Sequence, residues 1–257
     1  MDLDLKPSLA SLQQNLLTGV NHGPKPFRLN RRGIKGWEMR QAIMNKVFLA
    51  NLFAAGIAEF VQKGGDTFVA NSGAIIKVLR PFETENREWG KWGDPLFNWS
   101  LNRHNRPEVE ILRLLHNWCD ETPPVGTLAE NETHVEKCFA IGNYANDPTF
   151  RNFFWTAWSR DEFENHRTLT GNAVPGVLLG KEKEKLLNGN SYRLGAECIW
   201  IPVANYLKPK ELYLCGVWGR YVINFVRQAL PETKVVLHCH PASRGHYFWK
   251  NGSLLPE

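Results

Sequence analysis

The sequence has no C-x-x-C pair: its five cysteines, Cys119, Cys138, Cys198, Cys215 and Cys239, are scattered singly. This excludes a zinc ribbon, an iron–sulfur cluster of ordinary spacing and a disulfide framework. Cys215 and Cys239 fall in or beside apolar segments and read as small buried hydrophobes. A G-x-x-x-x-G-K-[ST] loop is missing, as is any carboxylate cluster, which weighs against a nucleotide hydrolase. Internal repeats and low-complexity tracts are also missing. The most apolar run, VFLANLFAAGIAEFV, is broken by Asn51 and Glu59 and is too short to span a bilayer, so it reads as a buried helix. The opening MDLDLKPSL carries acids where a secretory signal carries basic residues, and no apolar stretch follows it. The expectation is a cytosolic protein without membrane association or an obligate protein partner.

What is present is an ordinary globular composition with a basic bias. Of 257 residues, 43% are hydrophobic and 22% charged, enough for a full core, and the net charge is +5. The basic residues cluster in RLNRRGIKGWEMR, NREWGKWG and NRHNR. Ten tryptophans and fourteen phenylalanines accompany them, and aromatics interleaved with arginine can stack on bases. A polyanionic partner suits this balance. A solvated basic face beside core aromatics would produce the same composition.

The order of segments predicts an α/β fold. Residues 1–34 read as a helix and an irregular arm, and Gly36 to Lys63 as a helix stopped by Gly64-Gly65. DTFVANSGAIIKV reads as a short strand broken by a turn, and Glu108–Asp120 as a helix. VEKCFAIG reads as a strand running into the polar turn NYAND, and Asn172 in LTGNAVPG as a loop residue. RLGAECIWIPVANYL has helical length with a kink at Pro202. KELYLCG, WGRYVINFVRQAL and KVVLHC read as strand, helix and strand. The expectation is a mainly parallel central sheet covered by helices on both faces, a three-layer α/β/α domain over 66–257. Residues 1–65 form a helical amino-terminal extension to it. Ligands of such folds sit beyond the carboxyl ends of the strands. Three polar turns, Asn71-Ser72-Gly73, Asn143 to Asp147 and His240 to Gly245, are expected to meet there on one rim.

Strand then N-x-G, strand then Asn, and strand then H-P-x-x-R, in this order, resemble the uracil-DNA glycosylase superfamily, most of all its single-strand-selective monofunctional branch. That branch carries G-M-N-P-G and H-P-S-P-R-N; here the segments read Val69-Ala70-Asn71-Ser72-Gly73 and His240-Pro241-Ala242-Ser243-Arg244-Gly245. PKELYLCGVWGRYV is similar to the family's penultimate strand and turn. The resemblance is strongest over 195–249, weak over 66–76, and absent from the first sixty residues. The family's first glycine and its motif proline are replaced by Val69 and Ser72, and the serine of the last motif is displaced by Ala242.

The resemblance implies a uracil-DNA-glycosylase-like fold and a monofunctional DNA glycosylase that needs no cofactor or metal. Hydrolysis of an N-glycosidic bond puts negative charge on the departing base, and His240 can donate a hydrogen bond to it as a neutral imidazole. Asn71 would hold the attacking water. Asn143 would read the edge of the extruded base, with Asn172 as the alternative, and Asp147 reads as a helix cap or an acid–base group. Arg244 matches the family's wedge position, with Tyr247 among its aromatic companions, while Ser72, Gly73 and Ser243 would grip phosphates. Ala74, small where uracil-selective members place a bulky aromatic nearby, implies a roomier base pocket. Uracil or a modified pyrimidine is then the expected substrate, and the superfamily's antiviral members act on hypermodified cytosines of bacteriophage DNA. Two other readings stay open: a non-catalytic nucleic-acid-binding protein on the same fold, and a metal-dependent hydrolase using His238 and His240.

Overall fold

The computed structural model describes residues 31–85, 89–104, 108–118, 127–140, 168–179, 189–238 and 240, with side chains from residue 45 on except those of 118, 134 and 136–140. The chain divides into two compact units, Met1–Gln41 and Ala42–Glu257. Of the first, the described part is helical backbone, the start of helix α1 (Arg31–Gln62). Asn143, Asp147, Ser243, Arg244 and Tyr247 lie outside the described residues.

The second unit begins at Ala42 and not at residue 66. The reason is the apolar run itself: Leu49, Phe53, Ile57 and Phe60 of α1 are buried. Phe53 stacks on Phe97 at 4.3 Å and tilts against Trp200 at 5.2 Å. The helix ends where the sequence places its stop. Gly64 takes a positive φ of 75°, its N–H donates to the Val61 carbonyl, and Gly65 donates to that of Phe60. This is the left-handed closure that glycine makes cheap.

DTFVANSGAIIKV is not a strand of the central sheet. It folds into a separate hairpin of β1 (Thr67–Val69) and β2 (Ile75–Lys77), paired antiparallel with each other. Strand β3 (Leu79–Arg80) follows, then the small ladder of β4 (Phe82–Glu83) with β5 (Trp92–Gly93). Helix α2 (Pro95–Arg103) starts at Asp94, whose carboxylate caps the Phe97 N–H at 2.8 Å.

Two expected elements are exchanged. The segment expected as a helix over Glu108–Asp120 is strand β6 (Ile111–Trp118), with Ile111 to Leu115 all buried. A continuous apolar run is what a parallel strand shielded on both faces requires, and periodicity alone does not separate it from a buried helix. The segment expected as a strand, VEKCFA, belongs instead to helix α3 (Leu128–Ala140). Its start is a reciprocal cap: the Thr127 N–H donates to the Glu130 carboxylate at 2.7 Å and the Glu130 N–H to Thr127 Oγ1 at 3.3 Å.

Strand β7 (Thr168–Leu178) takes in LTGNAVPG, so Asn172 is a buried strand residue and not a loop residue. It runs parallel to β6, and the register jumps from Asn117↔Val174 to Trp118↔Val177, across Pro175 and Gly176. Its last residues then pair antiparallel with β3. Upstream, its free edge is covered by α2, where Ser100 Oγ accepts from the Thr170 N–H.

The remainder follows the sequence reading. Helix α4 (Gly189–Gly195), a π-helical turn (Ala196–Trp200) and α5 (Ile201–Leu207) form one continuous helical stretch. Pro202 has no N–H for the Cys198 carbonyl, and a π-turn at that place is the local adjustment. Strand β8 (Glu211–Cys215), a 3₁₀ turn (Val217–Tyr221), α6 (Ile223–Ala229) and β9 (Lys234–His238) complete the described chain. The five-stranded sheet has the order β3-β7-β6-β8-β9, parallel except for β3. The fold is thus α/β with a mostly parallel central sheet. Among the described residues no helix is long and apolar enough to cross a membrane. Replacing Phe53 by Ala should cost about 3–5 kcal/mol of stability, measured by urea unfolding, because it empties a buried aromatic site. A loss below 1 kcal/mol would put α1 outside the core.

Candidate functional site at the strand switch point

Chain connectivity locates the crevice. From β6 the chain passes to β7 on one side, then returns across β6 to β8 and β9 on the other. The order therefore reverses between β6 and β8, and the connections leave the carboxyl ends of the two strands in opposite directions. The residues at those ends are His116 and Asn117 on β6, and Cys215 and Gly216 on β8.

Leu114 and His116 share one face of β6, the face on which Tyr192 of α4, Trp200, Trp218 and Val226 surround Leu214. The Tyr192 hydroxyl and His116 Nε2 are hydrogen-bonded, and the two rings stack at 5.5 Å with planes 23° apart. Tyr192 also lies nearly parallel to Trp218 at 5.4 Å and to Tyr221 at 6.0 Å. Trp218 is fixed by its indole N–H, which donates to the Cys215 carbonyl at 2.9 Å.

His240 enters the same place from beyond the end of β9. Gly216 lies beside it and makes room for Trp218: a Cβ there would lie 2.8 Å from Trp218 Cδ1, and 3.6 Å, an ordinary contact, from His240 Cβ. With a φ of 131°, Gly216 also holds a backbone shape that L side chains avoid, and its N–H donates to the His238 carbonyl at 2.7 Å. His238 and His240 have different surroundings. His238 is buried, edge-on to the Tyr213 ring at 5.8 Å, while His240 is close enough to His116 to feel its charge. Among the described residues no three His, Cys, Asp or Glu side chains are grouped to hold a metal ion.

Both imidazoles are neutral at physiological pH. Burial lowers His116 to about 4. Burial, and secondarily repulsion from His116, lowers His240 to about 4. A neutral imidazole offers one N–H donor and one acceptor nitrogen, and hydrogen bonding to Tyr192 occupies Nε2 of His116.

A second polar group lies where α2 meets β7. The Asn172 amide donates to Asp94 Oδ2 at 2.7 Å, and Asp94 also accepts from the Leu96 and Phe97 N–H groups. Burial nevertheless raises Asp94 to about 6, against the lowering effect of these donors. Glu132 of α3 is likewise raised, first by burial and also by the nearby Asp94, while a hydrogen bond from Asn98 opposes the shift.

The expected meeting of three turns is only partly met. His240 is at the crevice. Asn71, Ser72, Gly73 and Ala74 are exposed at the tip of the β1–β2 hairpin, where Ala70 N–H donates to the Ala74 carbonyl and Gly73 N–H to that of Ala70. They are turn residues of a hairpin and not the end of a parallel strand, so the inference of an enlarged pocket from Ala74 lapses. The segment expected to lead to Asn143 as a strand is helical as far as Ala140, and Asn143 itself lies outside the described residues. Sequence reasoning missed His116, Tyr192 and Trp218, and also Asp94. The signal for His116 was an apolar run ending in His-Asn, hidden by its reading as a helix. No family model matches the chain, and a search of curated proteins finds no match.

Two outcomes follow. Asp94→Ala removes a helix cap and strands the buried Asn172 amide, so it should cost about 2–4 kcal/mol in urea unfolding. His116 and His240 titrate near 4 when folded and near 6.5 when unfolded. The unfolded chain then binds more protons between these values, and stability falls as pH drops from 6.5 toward 4. Asp94, raised by folding, works in the opposite direction over 3.8 to 6. The double variant His116→Gln/His240→Gln should therefore lose less of its thermal midpoint between pH 6.5 and 4.5 than the parent does; an equal loss would contradict the two burials.

Proposed function

We propose that the protein is a monofunctional DNA glycosylase of the uracil-DNA-glycosylase type, which hydrolyses the N-glycosidic bond of a pyrimidine turned out of its strand and leaves an abasic site. The observation that carries this reading is the position of His240, the histidine of H-P-x-x-R, as a neutral imidazole in the switch-point crevice beside His116.

The chemistry asks little else. The C1′–N bond breaks with its electron pair going to the base, positive charge grows on the sugar, and water adds to C1′. A neutral His240 presents an N–H to the base oxygen as negative charge collects there, without carrying a proton that a charged imidazolium would give up. A donor of this kind, preorganised and shielded from water, lowers the barrier by about 3 kcal/mol. Asn117, at the carboxyl end of β6, takes the water-holding role that the sequence reading gave to Asn71. Asn172, anchored by Asp94, replaces Asn143 as the strand-borne amide suited to reading a base edge. The chain's net charge of +5 favours a DNA partner.

The substrate class is uracil or a modified pyrimidine. The test is to incubate the protein with oligonucleotides carrying uracil, hydroxymethylcytosine or glucosylated hydroxymethylcytosine, and to score alkali-labile abasic sites. One of the three should be cut. His240→Ala should slow single-turnover release by about 10²–10³-fold with oligonucleotide binding retained, whereas Asn71→Ala should leave the rate unchanged. Binding without abasic sites on any substrate would replace this reading with that of a non-catalytic nucleic-acid-binding protein.

A further inference from the structure

The rim of the crevice carries an aromatic surface that the excision chemistry does not use. Tyr221 closes the 3₁₀ turn that follows β8 and is 67% exposed. Its ring lies 7° from parallel with Tyr192, the residue that joins His116 and Trp218 in the crevice wall. A large, flat and largely exposed ring is thereby held at the edge of the site, close enough to α4 that a Cβ at Gly189 would lie 3.5 Å from Tyr221 Cδ1. Val217, also exposed at 64%, opens the same turn.

The two described elements that meet at Tyr221 carry charge of one sign in their own sequences. Helix α4 reads GNSYRLG, and the stretch from the 3₁₀ turn through α6 reads VWGRYVINFVRQA. Together they contain Arg193, Arg220 and Arg227 and not one carboxylate. Arg193 lies over the Phe225 ring at 5.2 Å, which fixes its side chain among these elements. An exposed aromatic face on elements that carry arginines is suited to a polyanion that also offers flat π-surfaces. Unpaired DNA does; a duplex hides its base faces in the stack, and an acidic peptide has none to offer.

We infer that Tyr221 is a stacking platform for an unpaired nucleobase flanking the excised nucleotide, with Arg220 and Arg193 facing the adjoining phosphates. This deepens the glycosylase reading and rests on it for the word "excised", but the platform itself is a statement about binding. It makes the protein prefer single-stranded or locally opened DNA over intact duplex, since only there is a base face free to lie on the ring.

The experiment measures binding of the full chain to a fluorescent oligothymidylate and to a blunt duplex by anisotropy, beside single-turnover base release. Tyr221→Ala should weaken oligothymidylate binding by about 5- to 100-fold, the range of one base–aromatic stack, and Tyr221→Trp should restore it. Duplex affinity and the thermal midpoint should stay as in the parent, because the side chain is mostly in water. Unchanged single-strand affinity in Tyr221→Ala overturns the platform, as does failure of Tyr221→Trp to restore it. Base release from the parent together with such a result would leave the glycosylase reading intact. Single-strand binding that depends on Tyr221, with no base released from any substrate, would sink the enzyme and keep the platform.

Discussion

The pairing of β6 with β7 on one side and β8 on the other is the constraint from which the rest of the site follows. Parallel strands need crossover connections, and when successive crossovers leave in opposite directions the sheet has one place where nothing covers the strand ends. The carboxyl ends of β6 and β8 flank that place, and the side chains there, His116 and those gathered around Gly216, are near one another although about a hundred residues separate them in the chain. A break in the β6–β8 register would move His116 away from Tyr192 and close the crevice.

Burial then sets the chemistry. His116 and His240 are kept uncharged because the helices on that face and the aromatic rings exclude water, and because each would repel the other if protonated. The same exclusion, acting on Asp94, favours its protonated form, yet three donors still converge on that carboxylate. One physical cause, desolvation, thus keeps both imidazoles neutral and raises Asp94 to about 6, which leaves it largely ionised at neutral pH. In this interior Asp94 accompanies the Asn172 amide, and the Asn172 and Ala173 carbonyls accompany the Trp200 indole.

Several elements were legible from residue order because their signals are local. The stop at Gly64-Gly65 needs only a left-handed glycine after a helix. The strand KELYLC, the turn at Gly216 and the strand KVVLH are short apolar runs bounded by breakers. The errors came where local signals compete. ILRLLHNW and VEKCFA are both apolar segments of ambiguous period, and each was assigned to the wrong class. A capping signature, Thr127-x-x-Glu130, stands at the start of α3 and marks the second segment as a helix; it carries more weight than the apolar content that follows it. No comparable mark distinguishes β6, whose identity depends on neighbours from distant parts of the chain.

By itself, the order of residues determined the α/β class, the run of elements from α4 to β9, and the candidacy of His240, all of which depend on contacts between near neighbours or on a single motif. Only the tertiary structure decided that Asn71 belongs to a solvent-facing hairpin, that Asn172 is bound to Asp94, and that His116 stands beside His240. Those outcomes depend on which strands lie side by side. Strand neighbours are selected by the burial of whole faces across the sheet, a quantity summed over segments far apart in the chain and therefore invisible in any one of them.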